Sequence, residues 1–194
     1  MRKQYLNLAT QRYATRPGPF KNPEDLGFDF RRWISPYTKC AHTIGDIAIV
    51  LQDWGSVQGF RKIKPEVRRL IQETGRNPYL RTNTRLDFVL EKVFGKHIGD
   101  VYITNAFPYV KPGSMSSRIS MSTLKKTVVQ FTIPELELAN PKKIFVCGAA
   151  TFAAISGVCA GSVLRDRLIK VPHPAARINT RSLLAIWEKA TVNS

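Results

Sequence analysis

The sequence predicts an α/β protein with a three-layer α/β/α architecture around a central, mostly parallel four-stranded sheet. Short apolar runs rich in β-branched residues alternate with longer segments whose apolar residues recur at helical spacing. The runs are apolar without interruption, which is typical of parallel strands covered by helices on both faces. At 194 residues the chain is long enough for one domain with a substantial core.

The expected elements alternate along residues 41–194, which we assign to one domain. Strands are expected at 47–51, 101–104, 144–147 and 168–171. Helices are expected at 64–74, 83–94, 122–139, 149–160 and 180–190. Residues 1–40 are rich in proline, arginine and aromatic residues with weak periodicity, and they predict an extension packed on the domain, partly helical at 24–33.

The charge of the chain points to its partner. Thirty Lys and Arg residues against fourteen Asp and Glu residues give a formal charge of +16. Such a surplus favours a polyanion, nucleic acid first and an acidic membrane surface second. No stretch approaches the roughly 20 apolar residues of a membrane span, and the basic N-terminus lacks the apolar segment of a secretory signal. We therefore expect a nucleic-acid partner and no membrane.

Cysteine usage indicates the compartment. Cys40, Cys147 and Cys159 are an odd number without paired ligand spacing. This argues against a disulfide framework and against a zinc or iron–sulfur site, and it fits a reducing cytosol. The expected location is cytoplasmic or nucleoid-associated, or nuclear if the source is a eukaryote.

Polar residues follow the expected strands where ligands of parallel sheets bind, beyond the carboxyl ends. Asp53 follows the first strand, Asn105 the second, Gly148 the third and His173 the fourth. An acid, an amide and an imidazole are therefore expected on one rim. Each also has an ordinary interpretation: a turn or cap aspartate, a turn asparagine and a loop histidine held between two prolines.

Four segments carry a resemblance to a known family. They are LQDWG at 51–55, YITNAFPYVKP at 102–112, NPKKIFVCGAATFAAI at 140–155 and HPAAR at 173–177. In order and spacing they resemble the uracil-DNA glycosylase superfamily, whose first motif is often GQDPY and whose last begins HP, as in HPSPL. The resemblance covers roughly residues 40–190. It implies an enzyme that extrudes a base from DNA and cleaves its bond to the sugar.

The resemblance also implies roles for individual residues. Asp53 would stabilise the oxocarbenium-like sugar and orient a water, and His173 would donate a hydrogen bond to the departing base. Asn105 would read the edge of the base. The expected base-binding set is completed by Gln52, Trp54, Gly55 and Phe107, with Tyr79 and Tyr109 as further candidates for stacking. The expected DNA contacts are Ser56, Ser114, Ala175 and Arg177, with Arg177 in the place of the wedge residue and with Lys111, Arg118, Lys125 and Lys126 on the basic surface.

The chain departs from the family pattern at several positions. Trp54 and Gly55 replace the proline and tyrosine of GQDPY, and in that branch the tyrosine excludes thymine's methyl group. Ala175 stands where a serine usually follows HP. The cysteines of the cluster-bearing branches are missing, since Pro108 or Tyr109 stands at the first such position. We therefore expect no iron–sulfur cluster, no metal and no cofactor. These departures leave open which base is removed.

Three functions compete. The first is a monomeric, monofunctional DNA glycosylase that removes uracil or a related deaminated base. The second is a catalytically silent, nucleic-acid-binding member of the same superfamily. The third is a small-molecule enzyme such as a nucleotide hydrolase. It ranks last because the chain has neither G-x-G-x-x-G nor a P-loop, and because it leaves the charge unexplained.

Overall fold

The computed structural model describes residues 2–35 and 45–192. Within them, four strands form one sheet in the order β2-β1-β3-β4, and all neighbouring pairs are parallel. The strands are β1 (Ile47–Ser56), β2 (Tyr102–Lys111), β3 (Lys143–Cys147) and β4 (Leu168–Val171). The predicted fold class is confirmed, and the sheet is parallel throughout these pairs.

Helices cover both faces of the sheet, and two apolar clusters form the core. One face packs against α1 (Arg2–Ala14), α5 (Met121–Thr127), α6 (Ile133–Ala139) and α7 (Ala149–Val158). The other face packs against α3 (Pro65–Thr74), α4 (Arg81–Phe94) and α8 (Thr180–Val192), with α2 (Val57–Arg61) following β1 directly. β1 and β3 are buried on both faces of the sheet, and this burial explains their continuous apolar runs.

The first two strands are longer than expected, because backbone pairing continues after their purely apolar parts end. Asp53 and Asn105, expected in loops, therefore lie within β1 and β2. Asp53 pairs with Phe107, whereas Gly55 pairs with Val110, so β2 carries one extra residue in a β-bulge. Pro108, which has no N–H to donate, lies in this bulge on an outer strand of the sheet.

The N-terminal segment differs from the prediction. Residues 2–14 form α1, which the sequence did not reveal, and the partly helical stretch predicted at 24–33 is limited to a 3-10 turn at Pro23–Leu26. Tyr5, Ala9 and Arg12 are the buried residues of α1. A charged residue on the buried side explains why the apolar pattern was weak. The boundary at residue 40, like Cys40, lies outside the described residues.

The N-terminal segment also meets the outer edge of the sheet. The Lys21 amide donates to the Val110 carbonyl at 3.0 Å, and the Val110 amide donates to the Lys21 carbonyl at 2.9 Å. These two bonds form an isolated antiparallel bridge to β2. The segment is thereby tied to the same end of β2 that carries the bulge.

The helix predicted at 122–139 is divided into three consecutive parts. α5 is followed by a π-helical turn at Val128–Thr132 and then by α6. Pro134 stands in the first turn of α6 and lacks the N–H that a continuous α-helix needs there. The π turn accommodates this missing donor.

Candidate active site

The carboxylate of Asp53 lies inside the protein at the carboxyl end of β1. Its side chain is only 10% exposed. Its Oδ2 atom is 3.2 Å from Lys111 Nζ and accepts a hydrogen bond from Gln52 Nε2 at 3.2 Å. The neighbouring Gln52 therefore orients the acid in this structure.

Lys111 is buried, whereas the sequence predicts it on the basic surface. It is the last residue of β2, and its side chain is only 4% exposed. Besides its ion pair with Asp53, its Nζ donates to the Met115 carbonyl at 2.8 Å. The sequence interpretation missed this because it ended the second strand at residue 104 and assigned Lys111 to a loop.

Two opposing effects act on the pKa of Asp53. Burial raises the pKa, because the charged form loses its hydration. The positive charge of Lys111 and hydrogen bonds from Lys111, Gln52 and the Gly55 backbone lower it. Burial outweighs them, so the pKa of Asp53 lies above its ordinary value.

His173 lies in a tight turn after β4. The Ala176 amide donates to the His173 carbonyl at 2.8 Å, and the Ala175 amide donates to His173 Nδ1 at 3.2 Å. Since Nδ1 accepts, the neutral ring carries its proton on Nε2. Burial and, to a smaller extent, the charge of Lys111 together lower the pKa of His173 to about 4. At neutral pH the ring is therefore an uncharged donor through Nε2.

Gly148 brings the end of β3 next to this turn. Its amide donates to the Val171 carbonyl at 2.9 Å, and it precedes α7 with φ of 93°. A Cβ built on Gly148 would stand 3.8 Å from the Cβ of His173. Such a contact is an ordinary one, so it is the positive φ, which residues with a side chain rarely adopt, that favours glycine here.

Arg85, on α4, supports the histidine loop and was not identified from the sequence. Its Nη1 donates to the Ala176 carbonyl at 2.9 Å, and its Nη2 donates to the Ile178 carbonyl at 3.1 Å. One guanidinium therefore holds two carbonyls just after His173. No motif signals this role, because Arg85 lies far from residues 173–178 in sequence.

Asn105 is buried next to the acid-bearing strand. It is 1% exposed and pairs in register with Leu51, two residues before Asp53. Within the described ranges neither Oδ1 nor Nδ2 of its side chain has a hydrogen-bond partner. An unpaired buried amide destabilises a fold, so its presence here is a functional signal.

The aromatic residues expected to stack on a base are mostly in the core. Trp54 is 6% exposed, stacks on Phe60 with ring centroids 4.3 Å apart, and donates from Nε1 to the Gly75 carbonyl at 3.4 Å. Phe107 is fully buried against Phe20. Tyr109 is also buried, whereas Tyr79 is 72% exposed.

A cavity of about 100 Å³ lies beside the first motif. Its lining includes Trp54, Gly55, Phe60, Leu80, Asn83 and Met115. It is mainly apolar, but Asn83 Oδ1 has no hydrogen-bond partner among residues 2–35 and 45–192. Such walls suit a flat ring that carries a hydrogen-bond donor.

The residues expected to contact DNA occupy different environments. Ser56 is buried, and its hydroxyl caps α2 by accepting from the Gly59 amide at 3.2 Å. Ser114 is half-buried, with its hydroxyl 2.8 Å from that of Ser116. Ala175 is half-buried and Arg177 is exposed. Arg177 therefore has the accessible side chain that a contact with DNA requires.

No three His, Cys, Asp or Glu side chains in the described ranges of the chain are grouped closely enough to hold a metal ion. None of the helices described above is long and apolar enough to cross a membrane.

The fold and this site define a three-layer α/β/α protein with an acid and a neutral imidazole at one edge of its sheet. Comparison with protein-family models matches residues 64–194 to the Uracil DNA glycosylase superfamily, and the chain belongs to that superfamily. The resemblance seen in the motifs is thereby confirmed. The matched residues contain Asn105 and His173 but begin after Asp53. A search of curated proteins finds no match for the chain.

Proposed function

We propose that this protein is a monofunctional DNA glycosylase that removes uracil or a related deaminated base, acting as a monomer without metal or cofactor. One observation carries the proposal. A carboxylate, Asp53, is buried at the carboxyl end of β1 in an ion pair with Lys111 at 3.2 Å, and an imidazole that is uncharged at neutral pH, His173, follows β4 of the same parallel sheet. Membership of the superfamily supports DNA as the substrate.

The two groups suit the two charges that develop when the bond between base and sugar breaks. The sugar gains positive charge, which the Asp53 carboxylate stabilises while it orients a water towards C1′. The base leaves with the bonding electrons, and His173 Nε2–H donates to the base carbonyl oxygen that gains negative charge. Water adds its hydroxyl to C1′ and its proton ends on the base, so the products are an abasic site and the free base.

Two separate features near the first motif are candidates for binding an extruded base, since Asn105 is not among the residues that line the cavity. The Asn105 amide offers one donor and one acceptor, which match the edge of a pyrimidine. The cavity beside Gly55 offers apolar walls for a ring. We infer that Gln52 acts by orienting Asp53, since its amide donates a hydrogen bond to that carboxylate.

The second candidate is a superfamily member that binds DNA without cutting it. It is favoured by the burial of Trp54 and Phe107, which leaves neither ring on an open surface, and by Ala175 in place of the usual serine. In this case Arg177 and the basic surface would bind DNA, while Asp53 and His173 would have no reaction to assist.

A glycosylase assay separates these candidates. Single- and double-stranded oligonucleotides carrying uracil, hypoxanthine or xanthine are incubated with protein, and abasic sites are revealed by cleavage in alkali. We expect product from the wild type and a loss of about 100-fold or more in Asp53→Asn and His173→Ala. Asp166→Asn, which changes an exposed acid, is the matched control and should retain full activity.

Two outcomes contradict the proposal. If wild-type protein binds every oligonucleotide and cuts none, the second candidate, a superfamily member that binds DNA without cutting it, is correct. Equal product from the wild type and Asp53→Asn shows that the acid has no role in catalysis.

A further inference from the structure

We propose that Lys111 is a positioning residue of the active site, whose buried ammonium is fixed by the Met115 carbonyl at 2.8 Å and holds the Asp53 carboxylate at 3.2 Å. It acts through Asp53 and His173, whereas the sequence predicts it only as part of the basic surface. Its importance for turnover rests on the proposed glycosylase function.

The fold places this ammonium through the bulge in β2. The extra residue around Pro108 shifts the register, so that Lys111 pairs with Ser56. A shift of one residue turns every later side chain to the opposite face of a strand. The bulge therefore determines where the Lys111 side chain points, and the Met115 carbonyl then fixes its end.

The energetics of burial require the two charges together. A lysine side chain that is 4% exposed and an aspartate side chain that is 10% exposed would each lose most of their hydration. Without its partner, the Asp53 carboxyl would take up a proton more readily, because burial already raises its pKa. The remaining groups on Asp53, the Gln52 amide and the Gly55 backbone, carry no full charge.

The same cation acts on His173. Burial and the charge of Lys111 both lower the pKa of the ring, and the Ala175 amide bonds to Nδ1. A second positive charge on the ring would be repelled by the ammonium. Lys111 therefore favours the ionised acid and the neutral imidazole that the proposed reaction uses.

The direction in which the pH–rate profile shifts on loss of the Lys111 charge follows from the protonation states that the proposed reaction uses. Activity requires Asp53 without its proton and His173 in its neutral form, so both groups contribute to the acid side of the pH–rate profile. Loss of the Lys111 charge raises the pKa of both. The acid limb of the profile should then move to higher pH.

The experiment compares Lys111→Met and Lys111→Gln with Lys111→Arg, which keeps the charge. We expect the acid limb of kcat to move up by about one pH unit in the neutral variants and to remain near the wild-type position in Lys111→Arg. Because the side chain at position 111 is buried, Lys111→Cys is unfolded in urea, treated with bromoethylamine and refolded; it regains an ammonium group and should recover the wild-type limb. Equally treated wild type controls for the other cysteines.

A second measurement does not depend on activity. The chain has three histidines, and NMR titration of His173 should show its pKa about half a unit or more above the wild-type value in the neutral variants. Lys189→Met, which removes an exposed positive charge on α8, should change neither measurement. If the wild type cuts no substrate, the proposed function fails, while the titration still decides the role of Lys111.

An unchanged acid limb together with an unchanged His173 titration, in either neutral variant that folds, overturns the proposal. Loss of activity that persists in refolded protein whose modification at position 111 is complete by mass spectrometry also overturns it, because the lysine would then act only as a packed side chain.

Discussion

Gly55 shows how closely the first motif is packed. Its φ of 150° is rarely adopted by residues with a side chain, and a Cβ there would stand 2.8 Å from Phe60 Cε2. The phenyl ring of Phe60 thus occupies the space into which a side chain at position 55 would extend. This explains in physical terms why the tyrosine of GQDPY cannot stand here with Phe60 in its present place.

We therefore expect Gly55→Ala to lower the free energy of unfolding by about 1–3 kcal/mol, because the ring must move and the backbone is strained. Adding Phe60→Leu should recover part of the loss by opening space. Urea denaturation measures both. Gly99→Ala is the control, since nothing lies within 4 Å of a Cβ built there. A Gly55→Ala protein as stable as the wild type would show that the ring moves at no cost.

At the scale of elements, a buried ion pair joins the N-terminal helix to the rest of the core. Arg12 on α1 pairs with Glu135 on α6, and it also donates to the Ile34 carbonyl at 3.0 Å. Tyr102 and Thr104 on β2 donate to the other oxygen of Glu135. Burial raises the pKa of Glu135, and the Arg12 charge opposes this. One carboxylate thus connects two helices and a strand.

Removing one partner should leave a buried charge without compensation. We expect Arg12→Met to lower the free energy of unfolding by about 3–5 kcal/mol. Arg12→Met combined with Glu135→Met should cost less than the sum of the two single changes, as measured by urea denaturation in a double-mutant cycle. Additive losses would mean that the two side chains do not stabilise each other.

The elements also show what the sequence can and cannot predict. The fold class follows from uninterrupted apolar runs, and the sequence indicates Asp53 and His173 as candidates because each comes just after such a run. The continuation of β1 and β2 was missed because strand pairing there includes Gln52, Asp53 and Asn105, which are typical of loops. α1 was missed because a charged residue, Arg12, stands on its buried side. Lys111 shows the same limit, since only the bulge makes it an interior residue.

At the scale of the whole molecule, the charge of +16 should dominate the binding of DNA. Each phosphate contact releases counterions, so the logarithm of the binding constant falls with the logarithm of the salt concentration by roughly 0.9 per contact on duplex DNA. The exposed Arg177 lies in the His173 loop, at the carboxyl end of the sheet. Lys142, which pairs with Asp46, lies at the opposite end, just before β3.

We expect Arg177→Ala to weaken binding of uncleaved duplex DNA and to reduce the salt slope by about 1. Lys142→Ala removes the same charge from the opposite end of the sheet and should leave the slope unchanged. Fluorescence anisotropy across a salt series measures both. Equal effects of the two changes would mean that DNA responds to net charge and does not use a defined face.

The bridge between Lys21 and Val110 has a consequence for self-association. β2 is an outer strand, and the free backbone groups of an outer strand can recruit a strand from another molecule. The N-terminal segment satisfies both backbone groups of Val110 beside the bulge. At this point of the outer edge, the backbone of Val110 is therefore not available to a strand of another copy.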